Sequence, residues 1–152
     1  MGPADVVLLR EGNGPLMPRA LTEKQWRTLL SFRVALRSFL QWSEDQAATV
    51  GITSAQHQLL VAIRGHAGKE DPTISDVAES LFVRHHSAIG LVERTAALGL
   101  VERRRDPADQ RLVRLALTPL GHERVDALVP AHLEELQRLA PLLDALLDVA
   151  GK

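Results

Sequence analysis

Leu98-Gly99-Leu100-Val101-Glu102-Arg103-Arg104-Arg105-Asp106-Pro107-Ala108-Asp109-Gln110-Arg111-Leu112-Val113-Arg114-Leu115-Ala116-Leu117 is where the hydrophobic period of this chain changes. Before Gly99 the apolar residues Ile89, Leu91, Val92 and Leu98 recur at helical spacing, and Gly99 stands where a left-handed helix stop belongs. After it the pattern is strand, polar turn, strand: Leu100–Arg105, the turn Asp106–Arg111, then Leu112–Leu117. Alternation puts Leu115 and Leu117 on one face of the second strand with Val113, and Arg114 and Ala116 on the other. In the first strand it puts Arg103 and Arg105 together and Arg104 opposite, so two of the three arginines are expected on one working face. No other stretch of the chain makes a convincing hairpin.

Upstream of the hairpin the chain reads as helices. A helix is expected from about His86 to Leu98, and before it a shorter one with Val77, Ala78 and Leu81 inward, capped by Thr73 or Ser75. Thr53-Ser54-Ala55-Gln56 fits a capping box, in which a hydroxyl and an amide side chain reciprocally satisfy free backbone N–H groups, and Leu59, Leu60 and Ile63 supply that helix's apolar face. Thr22-Glu23-Lys24-Gln25 is a second such box, opening a long amphipathic helix with Trp26, Leu29, Leu30, Val34, Leu36, Phe39 and Leu40, which stops near Val50-Gly51. Residues 1–20, with Pro3, Gly12, Gly14, Pro15 and Pro18, are expected to form an extended arm. Downstream, Thr118-Pro119 is a cap followed by a proline at the first helical position. A leucine-rich stripe from Leu120 to Leu147 then runs through what Pro130 and Pro141 are expected to divide into two or three helices. So much leucine exceeds the need of a small core and is read as a subunit interface.

These elements give a mainly α fold with a small β-hairpin wing. The expected divisions are an N-terminal arm at 1–20, an N-terminal dimerisation helix at 21–50, a winged helix-turn-helix at 53–118, and C-terminal dimerisation helices at 119–152. Helix, turn, helix and hairpin between residues 73 and 117 is the layout in which the second helix enters the major groove and the hairpin reaches along the backbone.

The composition permits this reading only when it is split. The 152 residues carry 18 Lys and Arg against 19 Asp and Glu, a formal charge of −1 that does not advertise nucleic acid. Between Arg84 and Arg114, however, seven arginines face four acids, a local +3, and the remainder sums to −4. Phosphate binding depends on where contact is made, so a basic head on an acidic body suffices. The absence of cysteine removes disulfides, thiolate metal sites and thiol switching. No apolar run reaches the roughly 18 residues of a membrane span. The Val6–Leu9 patch is too short for a signal peptide, and a cytoplasmic location without membrane partners is expected.

Several runs together resemble the MarR family of bacterial transcriptional regulators: Asp76-Val77-Ala78-Glu79-Ser80-Leu81, Leu91-Val92-Glu93-Arg94, Leu98-Gly99-Leu100-Val101-Glu102-Arg103, the spaced Asp106, Asp109 and Arg111, and Leu117-Thr118-Pro119-Leu120-Gly121. The Asp-x-x-Asp-x-Arg signature ahead of Leu-Thr-x-x-Gly is the specific part. The resemblance implies a homodimer with interlocked terminal helices that presents two winged lobes to a pseudo-palindromic site on double-stranded DNA. It also implies a repressor released by a small anionic or phenolic ligand bound between the dimerisation helices and the DNA-binding lobe.

Carried over residue by residue, the expected DNA-contacting set is Arg84, His85, His86, Ser87, Arg94, Arg103, Arg104, Arg105 and Arg111. Ser87 would serve a phosphate or a base edge, with helix capping as the plainer alternative. His85 and His86 would donate to phosphates. Gly90 and Ala88 depart from the family's habit of long side chains there and suggest close backbone approach instead. Arg111 is expected to hold Asp109 or Asp106 and so to fix the wing. For an effector, Phe39 and Trp42 are the aromatic candidates and His57 the polar one, although packing is the commoner job of such aromatics and a single helical His is commonly exposed or paired locally.

Catalysis fails on particular residues. His122-Glu123 begins a zinc-protease pattern but Asp126 stands where the second His belongs, and Gly68-Lys69 lacks the Ser or Thr and the first Gly of a phosphate loop, having Glu70 and Ile63. No enzyme, cofactor or metal is expected. Two rivals remain: a winged-helix module that binds protein and DNA only weakly, and a metal-responsive regulator using His57, His66, His85, His86, His122 or His132 with carboxylates.

Overall fold

The computed structural model describes residues 20–150. The expected N-terminal arm, apart from Ala20, lies outside these residues. The elements run α1 (Glu23–Thr49), α2 (Ser54–Arg64), α3 (Ile74–Ser80), α4 (His85–Ala97), β1 (Val101–Arg105), β2 (Val113–Leu117) and α5 (Pro119–Ala150).

Helix starts follow their local chemistry. Thr22, Thr53 and Thr73 cap α1, α2 and α3, each accepting from the third helical residue, which reaches back to the cap's own N–H. The choice between Thr73 and Ser75 is thereby resolved in favour of Thr73. Thr118 Oγ1 accepts from the Gly121 amide and donates to the Gly99 carbonyl, tying the start of α5 to the end of α4. Gly121 sits so close to the start of β1 that a Cβ there would lie 2.1 Å from the Leu100 carbonyl oxygen, which no side chain tolerates.

Helix ends share one device. After α1, α3 and α4 the chain turns through a left-handed residue whose N–H, with that of the next residue, closes onto the last-turn carbonyls: Gly51 and Ile52 onto Ala48 and Ala47, Phe82 and Val83 onto Glu79 and Ala78, Gly99 and Leu100 onto Ala96 and Thr95. Gly51 and Gly99 adopt φ of 76° and 73° without penalty, whereas Phe82 holds φ of 53° at a cost its side chain does not recover, being 84% exposed.

β1 and β2 pair antiparallel with Val101 opposite Leu117 and Arg104 opposite Arg114. One further piece of sheet leaves no mark in the hydrophobic period: Thr73 bridges Arg114, and the Leu115 amide donates to the Pro72 carbonyl at 2.8 Å. The segment before α3 thus anchors the wing to the helix-turn-helix. The core gathers Leu59, Leu60 and Ile63 of α2, Val77 of α3, Leu91 and Val92 of α4, Leu100, Val101 and Leu115 of the hairpin region, and Val125 and Leu128 of α5. Truncating any of the fully buried leucines would cost about 2–5 kcal/mol.

The C-terminal region corrects an expectation. Pro130 and Pro141 do not divide it: α5 is one helix of 32 residues. Each proline frees the carbonyl four residues earlier, on Asp126 and Gln137, and both those residues are exposed, so water can satisfy what the prolines cannot. The leucine stripe also serves two ends. Val125 and Leu128 close the core, while Leu133, Leu136, Leu143 and Leu147 are exposed, as are Trp26, Leu30 and Val34 of α1, the helix against which α5 packs most extensively. Among the described residues no helix is long and apolar enough to cross a membrane.

Candidate nucleic-acid interface

α4 buries Ala88, Leu91, Val92 and Thr95 and leaves a second stripe outward, with His86, Ser87 and Arg94 exposed and Gly90 between them. Its start is unusual for this chain. Arg84 is the N-cap and provides no side-chain cap hydrogen bond, so the first N–H groups of α4 and an exposed guanidinium stand together, an arrangement that suits a phosphate. Ser87 lies at the third helical position and is not the cap, which removes the capping alternative. His85 is held lightly, its Nδ1 3.4 Å from Ser75 Oγ of α3. At Gly90 the Arg94 guanidinium lies over the backbone, 3.2 Å from where a Cβ would be.

The wing is built on Asp106. This carboxylate is only 5% exposed; Oδ1 accepts from the Ala108 and Asp109 amides at 2.8 and 2.9 Å, and Oδ2 accepts from Arg114 Nε at 2.8 Å. The Arg114 hydrogen bond, with the two amides, holds the Asp106 carboxyl below the usual carboxylate range. Arg114 in turn reaches Glu70 at 2.9 Å and the Asp71 carbonyl at 3.0 Å, so it rivets the wing's turn to the segment preceding α3. Beside it, burial pushes the Asp76 carboxyl up, but hydrogen bonds from Thr73, with His66 and Arg114 nearby, bring it below its ordinary value. Of the two partners expected for Arg111, the structure selects Asp109, held by Nε and NH2 at 3.0 Å each. Asp106 is taken by Arg114, a residue the sequence reading left without a role.

The three successive arginines of β1 are all exposed but differently engaged. Arg104 pairs with Glu102 on its own face of the strand. Arg105 donates to the Gln110 carbonyl across the turn at 2.7 Å. Arg103 lies 3.9 Å from Glu93 of α4, which makes the outward face of α4 and the wing neighbouring surfaces. Arg84 and Arg94 have no such carboxylate partner among the described residues.

A second site lies behind this surface. A cleft of about 880 Å³ opens between α1, α2, the end of α3 and α5, lined mainly by apolar groups with Phe39, His57 and His132 among them. His57 is buried, 8% exposed, and not the exposed or locally paired histidine that its isolated place in the sequence suggests. Its ring packs at a tilt against that of His132, centroids 4.9 Å apart. His132 also meets Trp42 at 4.9 Å and the edge of Phe39 at 6.1 Å. Phe39 lines the cleft, whereas Trp42 backs it, packing on the far ring. His132 and Ser43 were not singled out for this place by sequence: they are 89 residues apart, and only the packing of α1 on α5 brings Nε2 and Oγ to 2.8 Å.

The other histidines do not converge. His66 and His122 line a separate recess of about 270 Å³, and His85 and His86 are on the outward side of α4. Among the described residues no three His, Cys, Asp or Glu side chains are grouped so as to hold a metal ion, which leaves the metal-responsive reading without a site there.

A family model described as the MarR family matches residues 50–112. The chain is 32% identical over 87 residues to the HTH-type transcriptional repressor NicR of Pseudomonas putida; the match takes in 57% of this chain and spans about half, 53%, of that repressor. Among solved structures, BpsR of Bordetella bronchiseptica, whose DNA binding is regulated by 6-hydroxynicotinic acid, is 28% identical with a TM-score of 0.59 over 76% of this chain and 83% of BpsR. The MepR–DNA complex of Staphylococcus aureus, 22% identical, shares the fold with a TM-score of 0.65, covering 80% of this chain and 85% of MepR. With the Asp106–Asp109–Arg111 wing in place behind an outward-facing α4, residues 50–112 match the MarR family and the fold is a winged helix-turn-helix.

Proposed function

We propose that this protein is a transcriptional regulator that binds double-stranded DNA as a homodimer, acting as a repressor that a small aromatic acid releases. The observation that carries DNA binding is the continuity of two cationic surfaces: α4 presents His86, Ser87 and Arg94 outward, and Glu93 beside them touches Arg103 of the wing. Helix in the major groove and wing along the phosphates is what that juxtaposition allows. The related repressor NicR supports the direction of regulation.

Dimerisation is supported by the exposed apolar stripe of Trp26, Leu30 and Val34 on α1 with Leu133, Leu136, Leu143 and Leu147 on α5, too much contiguous oil to leave in water. The occupant is a second copy, since two recognition helices then read two half-sites. The cleft behind the lobe, with Phe39 for stacking and His57 for a polar contact, is the effector site, and the regulation of BpsR by 6-hydroxynicotinic acid supports a planar aromatic acid as the ligand class.

The decisive experiment is selection of DNA from a random pool, followed by binding measurements on the selected site, on random DNA, and on the selected site with 6-hydroxynicotinate or salicylate added. The selected site should bind about 10³-fold or more tighter than random DNA, with two half-sites related by a dyad. Equal affinity for both at physiological salt would refute sequence-specific regulation and leave the protein-interaction reading.

A further inference from the structure

The ionisable groups lining the cleft are few: Arg37 and Glu44 from α1, His57 from α2 and His132 from α5, while the end of α3 contributes only Ser80 and Leu81. With both imidazoles neutral the cleft carries no net charge, since Arg37 and Glu44 cancel. An anion brought into this mostly apolar space would therefore find no net counter-charge.

The two histidines are not equivalent. His132 Nδ1 is 2.8 Å from the Leu128 carbonyl, which can only accept, so Nδ1 carries the proton and Nε2 of the neutral ring accepts from the Ser43 hydroxyl at 2.8 Å. Both nitrogens of His132 are thus engaged. His57 has no hydrogen-bond partner for either ring nitrogen among the described residues, although it is more than nine-tenths buried and lines the cleft. Burial and the facing His132 hold its pKa below 6.5, so it is largely uncharged at neutral pH in the free protein.

From this arrangement we infer that the cleft takes an aromatic carboxylate together with one proton, which settles on His57 and makes it the ligand's ion-pair partner. The inference rests on the effector reading above and adds its regulation by pH. The balance is simple: a carboxylate and a proton from solvent enter, and an imidazolium–carboxylate pair forms beside Phe39. Because the bound anion raises the pKa of His57, ligand affinity falls as pH rises through the window between its free and bound values, with Kd increasing up to tenfold per pH unit.

The test is titration calorimetry of the full chain with 6-hydroxynicotinate and salicylate near pH 7, in phosphate and in Tris, whose ionisation heats differ. The dependence of the measured heat on the buffer should correspond to uptake of close to one proton per ligand. The uncharged 6-hydroxynicotinamide should bind with no uptake, and His57→Gln should abolish uptake for the acids while weakening them. Trp42, packed on His132, offers a fluorescence readout of the unmodified protein, in which Kd should rise steadily between pH 6 and 8. Binding of the acids without proton uptake, or with a Kd independent of pH, overturns this inference and leaves the effector reading standing. Uptake that survives intact in a folded His57→Gln variant also overturns it. Failure of every acid to bind overturns the effector reading and this inference with it.

Discussion

Arg94→Ala is the substitution that most directly interrogates the interface. Arg94 lies on the outward stripe of α4, its guanidinium draped over Gly90 and free of any carboxylate partner among the described residues. In a dimer each copy would contribute one such contact, and each phosphate neutralised contributes about −0.9 to the slope of log K against log salt. Losing both contacts should therefore flatten the slope by about 1.8, so that the wild-type advantage shrinks by about 12-fold between 50 and 200 mM salt. Arg104 and Arg111 already carry Glu102 and Asp109 as counter-charges, so Arg104→Ala and Arg111→Ala should each flatten the slope less. Fluorescence anisotropy on one labelled duplex, over a salt series, measures all three. A wild-type slope in Arg94→Ala, or a larger change in Arg111→Ala than in Arg94→Ala, would refute the division into free and paired arginines. A loss confined to one base pair, at unchanged slope, would reassign Arg94 to base reading.

Three further outcomes are expected. Phe82→Gly should raise stability: relief of a left-handed non-glycine residue is worth about 1–2 kcal/mol, offset by about 0.5–1 kcal/mol of added chain entropy and little lost burial, for a Tm gain of about 1–2 °C. A clear loss in calorimetry would mean that Phe82 is covered in the assembled protein. Stability should fall as pH drops through and below 6.5, because His57 has its pKa lowered by folding and the unfolded chain binds its proton first; His57→Gln should flatten that part of the Tm–pH profile, and an unchanged profile would contradict the buried neutral ring. The wing's contribution from Asp106, whose folded pKa is depressed, is fully present above about 3.8 and is lost as pH falls through the folded value, so wing amide protection in hydrogen exchange should survive at pH 5 and collapse in stronger acid. Asp106→Asn should lose that protection at pH 7 already, and equal protection in both proteins would dissociate the wing from this carboxylate.

What could be read in the sequence was whatever depends on neighbours along the chain. Thr22 and Thr53 announce their helices because a capping box closes within three residues, the start at Thr73 was legible only to within two residues because Ser75 could also cap, and Gly99 marks a stop because the left-handed turn is local. The hairpin was legible from a change of period, and Arg111's role in holding the turn from its nearby carboxylates, although the choice of Asp109 over Asp106 was not. What was not legible depends on chain segments meeting in space. Arg114 holds Asp106 because the β1–β2 register and the Pro72–Thr73 bridge bring Asp71, Asp106 and Arg114 together. His132 joins His57 and Ser43 only through the packing of three helices. The prolines of α5 misled for the opposite reason: a local rule was applied where exposure of Asp126 and Gln137 makes its penalty bearable.

The same distinction locates where regulation can act. The cleft is bounded by α1 and α5, which carry the exposed apolar stripe, and by α2 and the end of α3, which belong to the helix-turn-helix. His57 and His132 face each other across that boundary, one from each side. On the effector reading proposed above, a ligand wedged between them, or a charge on one of them, would change the seat of α2 on α5 and with it the spacing of two recognition helices in a dimer. Since half-sites lie one helical turn apart, about 34–36 Å, a small change of seat is enough to lose one of them. The effector needs differential affinity for the two seats, and only that difference can move the equilibrium. An acid that bound equally to free and DNA-bound protein would leave repression untouched however tightly it bound, so its affinity should be measured on both.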